Sequence, residues 1–237
     1  MQRYFSKEKI NEKLVIDRND YHHIFNVMRM KENDQIEVVY DEKVHICRIK
    51  IENDKLYAKI IKISEINVNN KDVTLIIPLL KEAKMDLILG KATELGVNGF
   101  IPYFAERSII KLDEKKIKNK FDRWNKIIKE ASEQSKRITI PKIEKIYSLK
   151  DVSEVEGLNV ICSTVEKKKN IKTLLQNSTN YDKINIIVGP EGGFTTKEEK
   201  FLIEHHFKSV TLGNLIMRVE TVPIFLMSVI NYENMEW

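Results

Sequence analysis

A glycine-rich turn at residues 189–199, GPEGGFTTKEE, has the residue types and spacing of a ligand-binding loop. Gly189, Gly192 and Gly193 leave the backbone open to close approach and allow positive φ. The threonine and glutamate pairs that follow have capping-box spacing, which predicts the start of a helix. Such a loop would hold the edge of a flat heterocycle through backbone N–H and C=O groups, but a plain strand–turn–helix corner fits equally well.

A second segment, LGNLIMRVET at residues 212–221, combines a glycine with charged residues. Gly213 opens it, and Arg218 and Glu220 follow a short apolar run. An arginine beside a ligand loop could bind an anion or stabilise negative charge that develops during a reaction. It could equally form a salt bridge with Glu220, so the segment by itself leaves both roles open.

Residues 71–237 alternate strand and helix patterns, which predicts an α/β fold with a mostly parallel sheet. Apolar segments such as DVTLIIPLL, LNVICS, INIIVG and SVTLG are typical of buried strands, and KMDLILGKATELG and residues 117–135 are typical of helices. Parallel sheets bind ligands beyond the carboxyl ends of their strands. The loops after three of these strands, at 162–169, 189–195 and 212–221, are therefore the candidates for a binding site.

The N-terminal part, residues 1–70, consists of short apolar runs with a period near two, which predicts the strands of a small barrel or sandwich. One helix is predicted at RNDYHHIFNVMRMK, with Ile24, Val27 and Met28 on one face. The polar, asparagine-rich segment 65–72 marks the predicted boundary between two domains.

The composition of the 237-residue chain argues against several classes of protein. Hydrophobic residues make up 42%, enough for a core, yet no apolar run reaches the roughly 20 residues of a membrane span. The start, MQRYFSKEKI, lacks the apolar region of a signal peptide. Cys47, Cys162 and the five histidines lack metal-ligand spacing, so we expect a cytoplasmic protein without a structural metal or disulfide.

The net charge of +5 is concentrated in residues 105–150, which carry 14 Lys/Arg against 7 Asp/Glu. A local basic field attracts polyanions, because Lys and Arg contacts to phosphate dominate the affinity of proteins for nucleic acids. A well-solvated helix face has the same composition, so charge alone does not identify an RNA-binding surface.

The two loop segments resemble the signature of a known family. NIIVGPEGGFTTKE followed by VTLGNLIMRVET is similar to the motifs of the small-subunit ribosomal RNA (uracil-N3)-methyltransferases, the RsmE family of the trefoil-knotted SPOUT class. Five further segments resemble family blocks in the same order: MQRYF, HHIFNVMRMKENDQI, LLKEAKMDLILGKATELGV, IPYFAERSI and RWNKIIKEASEQSKRITIPKI. The resemblance therefore covers nearly the whole chain and is more specific than a glycine loop alone.

This resemblance implies a PUA-like β-barrel for RNA at residues 1–70 and a SPOUT α/β domain at 71–237 whose last segment threads a deep knot. It also implies S-adenosylmethionine as cofactor, a homodimer, and methylation of N3 of one uridine in small-subunit ribosomal RNA or the assembled subunit. The residues that it assigns to the cofactor are Ser163, Thr164, Val188, Gly189, Pro190, Glu191, Gly193, Leu212, Gly213, Ile216, Met217, Arg218 and Thr221.

Arg218 is the predicted catalytic residue, because a uridine that loses its N3 proton carries negative charge on O2 and O4. Glu220 is expected to orient Arg218. The general base stays open among Glu94, Glu133 and water, and Cys162 is expected to be a core residue, since attack by N3 needs no covalent nucleophile. The residues predicted to bind RNA are Arg3, Arg29, Lys31, Arg107, Arg123, Lys136 and Arg137.

The chain departs from the family pattern in several places. Leu215 stands where the family usually has an arginine, Val219 and Val222 alter its RTETA motif, Gly90 replaces a glutamine, and KEAKM replaces KGDKM. Ribose 2′-O-methylation by another SPOUT enzyme and a non-catalytic RNA-binding assembly factor are the alternatives that the sequence leaves open. A nucleotide-phosphate binder ranks last, because the loop lacks the Lys and Ser/Thr of a Walker motif.

Overall fold

The computed structural model describes residues 1–64, 71–108, 114–177 and 182–233. The chain divides into two compact units. The first comprises residues 1–69 with 132–140, and the second comprises residues 70–131 with 141–237. Most of the predicted boundary segment 65–72 lies outside the described residues.

The first unit contains a six-stranded sheet. Its strands are β1 (Arg3–Phe5), β2 (Lys9–Ile10), β3 (Lys13–Val15), β4 (Gln35–Tyr40), β5 (Lys43–Glu52) and β6 (Lys55–Ser64). They pair in the order β1-β4-β5-β6-β3-β2, and only the pairing of β1 with β4 is parallel among those of the described strands. Strands β3 to β6 match the predicted apolar runs, whereas β1 and β2 are too short to show a period.

Alternating apolar residues build the core of the first unit. Ile36 and Val38 of β4 and Cys47 and Ile49 of β5 are fully buried, while polar residues between them stay exposed or half-buried. This pattern arises because successive side chains of a strand face opposite sides of the sheet.

The predicted helix between β3 and β4 exists, but its second half is a π-helical turn. Helix α1 (Arg18–His22) is followed by the turn His23–Val27, and the N–H of Met28 donates to the carbonyl of His23 at 2.8 Å. Only Ile24 of the predicted apolar face is buried, while Val27 and Met28 are exposed. The wider turn changes which residues face the core, so the prediction of one shared face is wrong.

The second unit contains a six-stranded sheet in which every pairing of the described strands is parallel. Its strands are β7 (Asp72–Pro78), β8 (Gly99–Tyr103), β9 (Lys142–Ile143), β10 (Leu158–Cys162), β11 (Lys183–Ile187) and β12 (Lys208–Val210). They pair in the order β12-β10-β11-β7-β8-β9. This sheet confirms the predicted α/β class, and the threading of the C-terminal segment stays a prediction.

Six helices accompany this sheet within the described ranges: α2 (Glu82–Glu94), α3 (Glu114–Gln134), α4 (Leu149–Ser153), α5 (Ile171–Gln176), α6 (Thr196–Glu204) and α7 (Thr221–Glu233). Gly96 follows α2 with φ of +93°, as expected for a helix C-cap. Helix α3 confirms the amphipathic pattern, since Trp124 and Ile128 are buried. Pro223 lies in the first turn of α7, where its missing N–H costs no intrahelical hydrogen bond.

Candidate functional site

Three loops meet around one cavity at the carboxyl ends of β10, β11 and β12. Because these strands run parallel in adjacent positions, their ends share one edge of the sheet. The cavity has a volume of about 510 Å³, within the range of small-molecule sites. Twelve of the thirteen residues that the resemblance assigned to the cofactor line it: Ser163, Thr164, Val188, Gly189, Pro190, Glu191, Gly193, Leu212, Gly213, Ile216, Met217 and Arg218.

Thr221 is the thirteenth of these residues, and it lies outside the cavity lining. It is the first residue of α7, and its N–H donates to the carbonyl of Arg218 at 2.9 Å. Thr221 thus joins the loop to the helix, and a direct contact with the cofactor stays a prediction.

Glycine is required at particular positions of these loops. Gly193 has φ of +69° and Gly213 has φ of +122°, values that residues with a side chain rarely adopt. At Gly189 space is tight, since a Cβ there would lie 3.1 Å from ring carbons of Phe194, which would have to shift. The predicted use of positive φ therefore holds for Gly193 and not for Gly189 or Gly192.

The loop after β11 is anchored at both ends. The Tyr103 hydroxyl donates to the carbonyl of Val188 at 2.9 Å, and burial, with the charge of Glu198, raises the pKa of Tyr103 well above its usual value. Thr195 and Glu198 form the predicted capping box at the start of α6. Glu198 Oε1 also accepts the N–H of Glu106 at 2.7 Å, which ties the loop to the segment after β8.

Lys84, in the first turn of α2, connects two of the three loops. Its Nζ lies 3.2 Å from Glu191 Oε1 and 3.5 Å from Glu220 Oε2. The hydrogen bond to Glu191, aided by the charges of both carboxylates, raises the pKa of Lys84 above its usual value. Sequence reasoning missed this residue, although the KEAKM segment that contains it was part of the resemblance.

Arg218 lines the same cavity, and its side chain is exposed. Within the described ranges its guanidinium has no ion pair or side-chain hydrogen bond, and Glu220, predicted to orient it, lies against Lys84 instead. The guanidinium donors of Arg218 are therefore available to a ligand.

Cys162 also lines the cavity and is not in a disulfide. Burial raises the pKa of Cys162 to about 12, so the thiol is neutral near pH 7 and is a poor nucleophile. Neither of the two glutamates considered as the base, Glu94 and Glu133, is among the residues that line the cavity. The carboxylates that do line it are Glu191, Glu199 and Glu220.

Arg3 and Lys136, both predicted to bind RNA, form an internal cluster with Glu37, here called the Arg3 cluster. Arg3 is only 5% exposed, its Nε donates to Glu37 at 2.9 Å, and its Nη1 donates to the carbonyl of Lys136. Lys136 Nζ lies 3.3 Å from Glu37. Burial alone would raise the pKa of Glu37, but the hydrogen bond and charge of Arg3, with Lys136, lower it below the usual 4.5.

The other predicted RNA-binding residues of the first unit differ in exposure. Arg137 is half-buried and donates to the carbonyl of Thr139 at 3.2 Å, and burial lowers the pKa of Arg137 to about 10. Arg29 and Lys31 are exposed and have no ion pair in the described part of the chain.

Two predicted RNA-binding residues lie in the second unit, and both have internal partners. Arg107 donates to the carbonyl of Gly192 at 2.7 Å. Arg123 on α3 pairs with Glu82 at 3.1 Å and with Asp86, both on α2. An RNA contact by these side chains stays a prediction.

No cluster of three or more His, Cys, Asp or Glu in the described residues could hold a metal ion. Over the same ranges, the helices are too short or too polar to cross a membrane. The predicted absence of a metal and of a membrane anchor concerns the whole chain and stays a prediction.

Known families match both parts of the chain. The RNA methyltransferase domain family matches residues 67–231, and the RNA methyltransferase PUA domain family matches residues 16–61. Ribosomal RNA small subunit methyltransferase E of Bacillus subtilis is 35% identical over 250 residues, which cover 98% of this chain and 97% of the relative.

Two solved structures have the same architecture. One is a ribosomal RNA small subunit methyltransferase E from Neisseria gonorrhoeae bound to S-adenosyl methionine, with 27% identity and a TM-score of 0.85 over 98% of both chains. The other, from Legionella pneumophila, is a methyltransferase in complex with the bound cofactor SAM. It is 26% identical with a TM-score of 0.88, covering 98% of this chain and 97% of that one.

Proposed function

This chain belongs to the RsmE family of ribosomal RNA small subunit methyltransferases, and we propose that it methylates N3 of a uridine in small-subunit ribosomal RNA. S-adenosylmethionine is its methyl donor. The observation that carries the proposal is the convergence of three loops on one cavity, lined by twelve residues that the resemblance assigned to the cofactor.

The cavity has the size and the chemical groups that this donor needs. Leu212 and Met217 would provide an apolar lining for the adenine of the donor, and Gly213 would leave main-chain groups open to its polar edge. Glu191 and Glu220 share the single positive charge of Lys84, which leaves one net negative charge for a ligand that carries a sulfonium and an ammonium group. When bound, the donor supplies an electrophilic methyl group on a positively charged sulfur.

Arg218 would act on the uracil ring. N3 of uridine carries a proton, and its lone pair becomes nucleophilic when that proton leaves to a cavity carboxylate or to water. The resulting negative charge spreads over O2 and O4, where a guanidinium can donate charge-assisted hydrogen bonds. The absence of an internal partner for Arg218 among the described residues supports this role.

Cys162 supports N3 over C5 as the methylated atom. Methylation at C5 normally needs a cysteine that adds to the ring, whereas N3 attacks the methyl group directly. Because burial keeps the Cys162 thiol neutral, it is a poor candidate for such an addition. We expect Cys162→Ser to retain most of the methyl-transfer rate, and a complete loss would favour C5 chemistry.

We further propose that the protein is a homodimer whose interface covers an apolar patch beside the cavity. Val165, Leu215 and Ile216 are 69%, 84% and 82% exposed, and all three line the cavity. Adjacent exposed apolar side chains often mark a protein–protein interface. Leu215, in place of the family's usual arginine, adds apolar area there. Light scattering should give a dimer for the wild type and a monomer for Leu215→Glu with Ile216→Glu.

The two parts of the chain have different proposed roles. Residues 1–70 would bind RNA and residues 71–237 would transfer the methyl group, in agreement with the two family matches. The place of action would be the cytoplasm, where ribosomal subunits are assembled.

Mass-spectrometric mapping of small-subunit ribosomal RNA tests the proposed function. Cells without the gene should lack one N3-methyluridine, and the wild-type gene should restore it. Purified protein given the donor with naked RNA or with assembled subunits would identify the form of the substrate. Loss of a ribose methyl group would instead indicate 2′-O-methylation, and unchanged methylation would indicate an assembly factor, so either result contradicts the proposal.

A further inference from the structure

The segment between β10 and α5 carries three consecutive lysines next to the cavity. We call residues 166–169, Glu-Lys-Lys-Lys, the lysine loop. Val165 and Lys167 line the cavity, and Lys168 and Lys169 follow directly and are exposed. The lysine loop therefore lies at the rim of the proposed methyl-donor site.

Side chains hold the backbone of the lysine loop in one conformation. Glu166 Oε1 accepts the N–H groups of Lys167, Lys168 and Lys169 at 2.9, 2.8 and 3.2 Å. Ser163 Oγ accepts the N–H groups of the two residues before Lys167, both at 3.1 Å. The hydrogen bonds from the N–H groups of Lys168, Lys169 and Lys167, with the charge of Lys169, lower the pKa of Glu166.

The far end of the lysine loop is attached to the neighbouring strand. The N–H of Thr211 donates to the carbonyl of Lys169 at 2.7 Å, and the N–H of Ile171 donates to the carbonyl of Thr211 at 3.2 Å. Asn170 then caps α5 by accepting the N–H of Thr173 at 2.8 Å. The backbone of the loop is thus fixed relative to β12 and the cavity edge.

The three lysine side chains of the loop differ in their hydrogen bonds. Lys167 Nζ donates to the carbonyl of Thr164 at 2.8 Å. Lys168 and Lys169 have no ion pair and no side-chain hydrogen bond to any residue in the described ranges. Arg3 and Arg123, predicted to bind RNA, are by contrast bonded to carboxylates. The charge of Lys168 therefore has no partner among the described residues, and that of Lys169 has only the through-space attraction of Glu166, so both ammonium groups remain available at the cavity rim.

We infer that Lys168 and Lys169 bind phosphates of the RNA strand that carries the target uridine. This inference rests on the proposed function. A uracil ring can enter the cavity only from a single-stranded or flipped-out position, so we expect the flanking phosphates to lie at the rim of the cavity. Two exposed ammonium groups, neither of them in an ion pair with a described residue, suit such phosphates, and because their backbone is fixed the main chain loses little conformational freedom on binding.

Charge reversal at the lysine loop, with a matched control at the opposite edge of the sheet, tests the inference. The test variant is Lys168→Glu with Lys169→Glu. The control is Lys142→Glu with Lys183→Glu, because these exposed lysines begin β9 and β11 at the amino edge of the same sheet. Both variants change the net charge equally, so a difference between them reports position.

The readout is the affinity for a single-stranded fragment of small-subunit ribosomal RNA across a range of salt concentrations, without cofactor. The test variant should bind at least about tenfold more weakly, and the slope of log Kd against log salt should fall by about 1.4, the value for two phosphates on a single strand. The control variant should change much less in both. Affinity for S-adenosylmethionine, measured by calorimetry, should be unchanged in both variants.

Three results would overturn the inference. RNA binding and salt slope equal to those of the control variant would remove the lysines from the interface. A weaker affinity for S-adenosylmethionine with unchanged RNA binding would assign them to the cofactor. A wild type that neither binds nor methylates small-subunit RNA would overturn the proposed function, and the inference with it.

A second double variant covers the case in which the new glutamates destabilise the loop beside Glu166. Lys168→Gln with Lys169→Gln should lower the slope of log Kd against log salt by the same amount.

Discussion

The cavity and the Arg3 cluster were both predicted from residue types as binding regions, yet the fold uses their side chains differently. In the cavity, parallel strands bring three distant loops together and leave Arg218 without an internal partner in the described ranges. In the Arg3 cluster, the basic side chains bond to Glu37 and to backbone carbonyls. Strand order thus predicts where loops meet. A count of charged residues does not show how many of them are paired with other groups of the same chain.

The largest expected effect is on catalysis at the cavity. Arg218→Ala should lower kcat by about 100- to 1000-fold, because it removes a cation from the developing charge on the uracil. Calorimetry should show a much smaller change in cofactor affinity, since the other lining groups remain. Lys183→Ala is the control and should keep near wild-type kcat, because this exposed lysine begins β11 at the opposite edge of the sheet from the cavity. A kcat for Arg218→Ala close to that of the control contradicts the role.

A smaller effect is expected at the Arg3 cluster, on stability. Arg3→Met should lower the free energy of unfolding by about 3 kcal/mol, because it removes a buried charged donor from the carbonyl of Lys136 and from Glu37, which then keeps only Lys136. Urea unfolding followed by circular dichroism measures the change. If Arg3→Met keeps wild-type stability and loses only RNA affinity, Arg3 contacts RNA and does not stabilise the fold. That result would contradict the prediction.

Lowering the pH should reduce the stability that the Arg3 cluster contributes to the fold. The pKa of Glu37 in the folded protein lies below the usual 4.5, so its contribution to stability is complete above about pH 4.5 and declines as pH falls through the folded value. Arg3→Met should remove most of that decline. Unfolding curves of the wild type and of Arg3→Met, measured from about pH 6 to pH 3, give the free energy of unfolding at each pH. Parallel dependence on pH in the two proteins would contradict the role of Glu37.

The next effect concerns the shape of the cavity. Gly213→Ala places a side chain at φ of +122°, a strain of about 1–3 kcal/mol that the loop must relieve by moving. Cofactor affinity should fall about tenfold, as a 1.4 kcal/mol loss predicts. Gly192→Ala is the control, because its φ is ordinary and its Cβ would meet only the flexible Arg107 side chain at 3.3 Å. Equal losses in the two variants would show that φ at Gly213 is not the cause.

The smallest effect lies outside both regions. Gly90 is within α2, where a Cβ would meet no atom closer than 3.9 Å. Gly90→Ala should raise the free energy of unfolding by up to about 1 kcal/mol, because alanine is the better helix former. Methyl transfer and RNA affinity should stay unchanged, and a loss of activity would show that this departure from the family pattern has a functional role.

Sequence reasoning succeeded where a local pattern sets the structure. The period of residues 117–135 predicted α3, and the threonine–glutamate spacing predicted the cap of α6. It failed at Val27 and Met28, because a π-helical turn breaks the period.

The α/β class and the three candidate loops follow from the sequence, because strand and helix periods and glycine positions are local properties. The family resemblance added twelve of the 25 residues that line the cavity. Which charged side chains remain without an ion pair depends on the tertiary structure. Lys84 pairs with Glu191 and Glu220, and Arg3 with Glu37, across long stretches of chain, so no local pattern contains these pairs. The charge left over after such pairing is what a substrate meets.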